Sequence, residues 1–341
     1  MKDLTKKPKY HKINKTELEN VKYKRKKNII TKKLKRFILI LLNLLFVIYF
    51  LVKLFHIFKK NIILNSNKLN KDKDIKVCLC SIGKKENLYA KEYVNHYKKI
   101  GYNHIYIYDN NDEKGEKFED VLQEEIKSYF VTIVNIRGKI KGQCYVYIDC
   151  YEKHHKEYDW LSFFDMDEFL EVKANNIQEF LSNSRYDKCV TIKTNFLFYS
   201  DNELLYYDNR TLEERFTTPL YQHRNNRWTK VTVRGGINKN YWSIGCTPHT
   251  SQFNVTNCNS AGNIMRFNRG SIKPNFTYAY LKHYYTKTAE EYFIKSSRGS
   301  AFNKVVWNQN RKLFKFRLFF VYNKKTKEKE ELLKKLFNMT L

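Results

Sequence analysis

The chain has 341 residues, enough for one large domain with a substantial core plus appendages. Hydrophobic residues at 42% and aromatics at 16% exclude a mainly disordered protein. A formal net charge of +29 raises the question of nucleic acid, but lysine is spread over both ends and the middle and focuses no groove, so no nucleic-acid partner is expected.

Residues 1–36 hold the basic runs from Lys22 to Lys27 and from Lys32 to Arg36 and show no apolar periodicity, which reads as a cytoplasmic tail. Residues 37–58 are apolar over nearly the ~20 residues that a bilayer crossing takes. A short charged leader and a small-residue cleavage site are both missing, so a signal anchor is expected rather than a signal peptide. The basic excess before the span places the N-terminus in the cytosol. The expectation is a single-pass type II protein of the Golgi or ER membrane with its bulk in the lumen. Residues 59–74 are polar and read as a stem. Sequons at Asn209, Asn254, Asn275 and Asn338 fit a lumenal domain, though weakly in an Asn-rich chain.

From residue 75 the pattern alternates. Strands are expected at 75–80, 104–108, 131–134 and 160–164, and helices at 88–100, 118–129 and 144–155. Strand, helix, strand at this spacing is a βαβ unit, so the fold class is α/β with ligands beyond the carboxyl ends of the strands. Cys78 and Cys80 read as core. Cys144, Cys150, Cys246 and Cys258 can form bridges in an oxidising lumen, with partners unassigned and at least one of the seven thiols left free. Residues 75–320 form the expected catalytic domain, and residues 321–341 a basic amphipathic helix with Leu333 and Phe337 on its apolar side.

The chemistry concentrates where the apolar strand ending at Phe164 runs into Asp165, Asp167 and Glu168. In an extended chain Asp165 and Asp167 point to one side, and their mutual repulsion invites a divalent cation. Oxygen ligands at a strand end suit Mn²⁺ or Mg²⁺, which keep positions open for phosphate oxygens and act as Lewis acids on a nucleotide diphosphate. The competing reading is a capped helix start. No Gly-x-Ser-x-Gly, Walker loop or His-Glu-x-x-His occurs, which excludes the common hydrolase, NTPase and zinc-protease signatures.

Asp165-Met166-Asp167-Glu168-Phe169 after an aromatic strand resembles the signature of glycosyltransferase family 92 and its family 2-like relatives. Ordered blocks extend the resemblance over about residues 75–305: Glu92 to Tyr97, Tyr106 to Asn110, the helix carrying Gln143, Trp228 to Val231, and His283 to Gly299. The resemblance implies a GT-A fold whose Rossmann-like half binds the nucleotide. It implies that Asp165 and Asp167 hold metal and diphosphate, that His283 completes the metal site and favours Mn²⁺, and that the donor is a UDP-sugar. It further implies inverting transfer of a hexose, galactose being one candidate, to a glycan or glycoprotein. Asp109 and Asn110 become candidates for the uridine or ribose, or simple turn formers. Gln143, Lys230, Lys287, Lys295 and Arg298 become candidates for binding the donor, with Arg234 behind them. The base that deprotonates the acceptor is open among Glu168, Asp201, Glu213 and Glu214, and His249 is a further site candidate. The alternative is a non-catalytic, membrane-anchored binding protein of the same fold.

Overall fold

The computed structural model describes residues 19, 37–54, 74–139, 142–237, 249, 255–265, 270–299 and 308–339. It divides into two units, residues 1–66 and residues 67–341.

In the first unit, helix α1 (Phe37–Leu54) has 18 residues, a mean hydropathy of 2.7 and no buried face, and is long and apolar enough to cross a membrane. A helix this apolar on every side has no polar face to offer water. Residues 55–58 of the expected span, the stem and the tail lie outside the described residues, apart from Glu19 and Asp74.

The second unit is built on one curled sheet. Its strands are β1 (Val77–Gly83), β2 (His104–Asp109), β3 (Val131–Asn135), β4 (Trp160–Phe163), β5 (Glu168–Val172), β6 (Thr191–Phe198), β7 (Thr229–Arg234), β8 (Asn257–Asn259) and β9 (Ala279–His283). Their order is β3-β2-β1-β4-β7-β6-β9-β5, with β8 also beside β6. The first four are parallel, and β7 is antiparallel to both β4 and β6. This parallel quartet is the Rossmann-like half that the resemblance implies. Every residue of β1 is buried, as a central parallel strand covered on both faces requires.

Helix α2 (Asn87–Lys99) connects β1 to β2 and buries Tyr89, Ala90, Tyr93, Val94 and Tyr97 on one stripe. His96, Lys98 and Lys99 in its last turn favour the negative end of the helix dipole. Gly101, at φ 96°, then turns the chain through the left-handed region that suits glycine. The helix expected at 118–129 is instead two short ones, α3 (Phe118–Val121) and α4 (Gln123–Lys127). Leu122 breaks it at φ −121° and ψ 27° and thereby stays in the core with Phe118, while Tyr129 exits at φ 57°. Helix α5 (Gly142–His154) precedes β4, and the short helices α6 (Ile177–Ser182) and α7 (Leu212–Arg215) follow β5 and β6.

Helices α8 (Ala289–Ser297), α9 (Gln309–Tyr322) and α10 (Lys327–Phe337) close the chain around a satellite core of Tyr292, Phe316, Phe319, Leu333 and Phe337. The apolar side expected for the last helix is therefore a packing face. Cys150 and Cys258 form bridges as expected, but their partners are cysteines not expected to pair. Cys80 pairs with Cys150, Cys189 pairs with Cys258, and Cys78 is a buried free thiol. Alternation along β1 places Cys80 in the core but is blind to the cysteine that α5 lays across the sheet. Cys246 and the side chain of Cys144 lie outside the described residues.

Candidate functional site

The Asp165–Glu168 segment is neither extended nor a helix start. The Glu168 amide donates to the Asp165 carbonyl at 3.1 Å, so the chain turns between β4 and β5. Curling of the sheet makes this turn a meeting point. Strand β6 pairs with β7 through Thr191 to Asn195 and with β9 through Phe196 to Phe198, carrying the sheet around a corner. Glu168 lies opposite His283 in the β5–β9 pair, and Phe163 lies opposite Val231, the neighbour of Lys230, in the β4–β7 pair. Residues far apart in sequence thus converge on three adjacent carboxylates.

Each carboxylate has its own partners. Asp165 accepts a hydrogen bond from the Tyr147 hydroxyl at 2.8 Å, and Gln143 Nε2 donates to that hydroxyl at 3.1 Å. Lys230 Nζ, almost fully buried, lies 2.7 Å from Asp165 Oδ2 and 3.2 Å from Glu168 Oε2, as ion pairs without good hydrogen-bond angles. Glu168 Oε2 also accepts from the Asp165 amide at 3.0 Å. Asp167 is paired with Lys295, and His283 Nε2 stands 3.4 Å from its Oδ2. Lys295 further donates to the Tyr285 carbonyl at 2.9 Å.

The electrostatics follow from burial and these partners. Burial opposes ionisation of Asp165, but Lys230 outweighs it and holds the carboxyl below its usual range. Asp167 is more deeply buried than the half-buried Asp165 and is held well below by Lys295 and His283. Glu168 goes the other way: burial, with Asp165 and Asp167 adding to it, raises its carboxyl well above the ordinary value despite Lys230. Burial lowers His283 against the pull of Asp167, which keeps the imidazole neutral and fit to coordinate.

Asp167, Glu168 and His283 each offer a ligand atom within 4.8 Å of the others, and the Nδ1 of His283 is buried without a hydrogen-bond partner. Two carboxylates and an imidazole suit a divalent cation such as Mn²⁺. The trio differs from the expected Asp165, Asp167 and His283, because the turn moves Glu168 inward while Lys230 and Tyr147 engage Asp165. Tyr147 was missed by sequence reasoning. Its position one helical turn after Gln143 is the signal that was present.

Beside this cluster lies a cavity of about 530 Å³ lined by Glu86, Tyr89, Lys287, Lys295 and Arg298, among others. Arg298 donates to the Lys85 carbonyl and, at 2.9 Å, to Glu86, tying α8 to the loop that follows β1. Lys287 stands over the Tyr89 ring, 4.4 Å from its centroid. At the end of β1, a Cβ on Gly83 would collide with the Phe118 ring and the Met166 sulfur, so glycine lets the carboxylate turn close down on the sheet.

Other candidates make their contacts elsewhere. Asp109 binds Arg137 Nε at 2.7 Å and caps the Asn111 amide, while Asn110 donates to the carbonyls of Ile136 and Lys139. Both side chains thus bond within the segment that follows β2 and to the chain after β3. Asp201 pairs with Lys329, Glu213 with Lys282, and Glu214 closes the capping box of α7 with Thr211. Arg234 donates to the Cys189 and Tyr186 carbonyls. The His249 ring faces the Thr229 carbonyl and Phe196, and burial lowers it to about 4.

A family model described as Glycosyltransferase family 92 matches residues 73–315. A glycosyltransferase family 92 protein of Ricinus communis is 26% identical over 116 residues, covering 34% of this chain and 21% of that protein. One from Oryza sativa subsp. japonica is 27% identical over 118 residues, 34% of this chain and 20% of that protein. The matched part thus spans about a fifth of these relatives. Among solved structures, S. aureus TarS 1–349 in complex with UDP-GlcNAc gives a TM-score of 0.36 at 10% identity over 77% of this chain and 72% of that one. The mannosyltransferase PcManGT from Pyrobaculum calidifontis, in complex with GDP-Man and Mn²⁺, gives 0.28 at 10% identity over 41% and 44%.

Proposed function

The chain belongs to glycosyltransferase family 92, and on that premise we propose that it is a membrane-anchored transferase moving a hexose from a UDP-sugar to a glycan or glycoprotein, with inversion. The observation that carries this reading is the buried turn in which Asp167, Glu168 and His283 gather their ligand atoms, with Lys295 linking Asp167 to the wall of the neighbouring cavity.

In this reading Asp167, Glu168 and His283 hold a divalent cation, Mn²⁺ being favoured by the imidazole. When bound, the ion supplies positive charge to the departing diphosphate. Lys295 and Arg298 add fixed cations at the cavity wall. Lys230 neutralises Asp165 and keeps the turn closed. Glu168, 1% exposed and bonded to Lys230 and the Asp165 amide, holds the turn and does not reach an acceptor hydroxyl. Helix α1 supports a membrane anchor. The Cys80–Cys150 and Cys189–Cys258 disulfides support an oxidising compartment such as the Golgi or ER lumen, with the basic N-terminal tail in the cytosol.

The test is nucleotide release from a panel of UDP- and GDP-sugars, with and without Mn²⁺. Metal-dependent release from a UDP-sugar is expected. Asp167→Ala should reduce it by about two orders of magnitude or more, the scale of a lost metal or oxyanion-stabilising contact. Undiminished release in that variant would remove the metal site.

A further inference from the structure

A second cavity, of about 190 Å³, lies against the β5–β9 pair on the face away from the carboxylate turn. Glu168 and His283 stand opposite one another in that pair, and so do Phe169 and Lys282. Side chains alternate along a strand, so the first couple faces the turn and the second lines this cavity. The facing wall is one stripe of α2, with Glu92, Asn95, His96 and Lys99 at the spacing that stacks side chains on a single helix face. None of these groups takes part in the chemistry at the turn.

The charges around the cavity are already matched. Lys282 lies 2.8 Å from Glu171 and 2.6 Å from Glu213, and Glu92 accepts from the Leu212 amide at 2.8 Å. Among the described residues, only Asp167, Glu168 and His283 gather ligand atoms closely enough to hold a metal ion, so this cavity is no metal site. An ionic ligand would have to displace an existing partner.

The groups left open suit a neutral ligand. His96 Nε2 meets the Leu170 carbonyl at 2.9 Å and must carry the ring proton to bond it, which leaves Nδ1 as an acceptor. Burial lowers this imidazole and keeps it neutral. Neither that Nδ1 nor the exposed Asn95 amide has a hydrogen-bond partner among the described residues, and exposed Lys99 adds a donor at the rim. Phe169 and Tyr284, with ring centroids 5.4 Å apart, supply an apolar floor. Hydroxyl groups both donate and accept, which matches this mixed set. A drug-sized ligand takes about 300–1,000 Å³, so the smaller volume here leaves room for a single ring.

We propose that this cavity is a non-catalytic carbohydrate site, holding one neutral sugar ring of a glycan on the side of the sheet opposite the carboxylate turn. The choice of ligand rests on the lining alone and stands whether or not the chain transfers a hexose.

The experiment is saturation-transfer NMR on the full chain, free of metal and nucleotide, in micelles of a detergent without a sugar headgroup. The probes are the methyl glycosides of glucose, galactose, mannose and N-acetylglucosamine, and transfer to at least one is expected. Asn95→Ala should weaken its binding about fivefold, the scale of one hydrogen bond. Asn95→Trp, which lays an indole across the mouth of the cavity, should abolish it. Position 95 is exposed on α2, and melting temperatures check that each variant is folded. Folded Asp167→Ala should bind the glycoside as wild type does. Absence of transfer to all four probes, undiminished binding in Asn95→Trp, or loss of binding in Asp167→Ala would each overturn the proposal. Nucleotide release by the wild-type chain judges the transferase reading separately.

Discussion

Lys230 shows how one side chain can hold a site together. Its ammonium is buried between Asp165 and Glu168, which one turn holds side by side, and the β4–β7 pairing brings it to them. Removing one member of a buried ion cluster leaves the others without compensation, which costs more than the pair contributes when intact. Lys230→Met should therefore destabilise the fold by about 3–5 kcal/mol, read from denaturant unfolding. Adding Glu168→Gln to that variant should recover part of the loss, since it removes a buried carboxyl that the lost ammonium would otherwise leave without its partner. A single variant as stable as wild type would mean that solvent reaches this corner.

At the scale of elements, α5 is tied down twice around the site, once to β1 and once to the turn after β4. Cys80 on β1 is bonded to Cys150 on α5 across a separation of 70 residues, and Tyr147, one turn earlier on the same helix, donates to Asp165. The disulfide closes a long loop in the unfolded chain, and loop-closure entropy at this length amounts to about 4 kcal/mol. A Cys80→Ser and Cys150→Ser double variant should lose about that much stability under non-reducing conditions, measured by chemical denaturation. No change would show that the bridge is absent from the folded protein. The helix expected at 118–129 belongs to this scale as well. Its periodicity is helical, yet the backbone leaves the helical region at Leu122 and the segment forms two short helices.

Across the whole molecule, buried lysines set the response to alkali. Burial lowers Lys193, Lys287 and Lys315 to about 8 each, whereas an unfolded lysine keeps its proton to about 10.4. Between about pH 7.5 and 9 the unfolded chain thus binds more protons than the fold, so stability rises with pH. The buried thiol of Cys78 opposes this by a single group. Towards about pH 10 the sign reverses: unfolded tyrosines ionise there, while burial keeps Tyr93, Tyr97 and Tyr147 protonated in the fold. Melting temperatures measured from pH 7 to 10 should pass through a maximum near about pH 9. A steady fall from pH 7 would contradict it.

Local patterns along the chain were enough for the apolar helix α1, for the β1-α2-β2 unit and for the carboxylates after β4, because periodicity and charge at a strand end are written in neighbouring residues. They were enough, too, to place His283 and Lys230 among the candidates through ordered motif blocks. Only the tertiary structure decided which groups meet. It turned the Asp165–Glu168 segment, drew Glu168 inward opposite His283, engaged Asp165 with Lys230 and Tyr147, and paired Asp109, Asp201 and Glu214 with Arg137, Lys329 and Thr211. The reason is the curl of the sheet: strands β4, β5, β7 and β9 are brought to one corner by β6 pairing first with β7 and then with β9 along its length, and no local pattern records where a strand finds its neighbour.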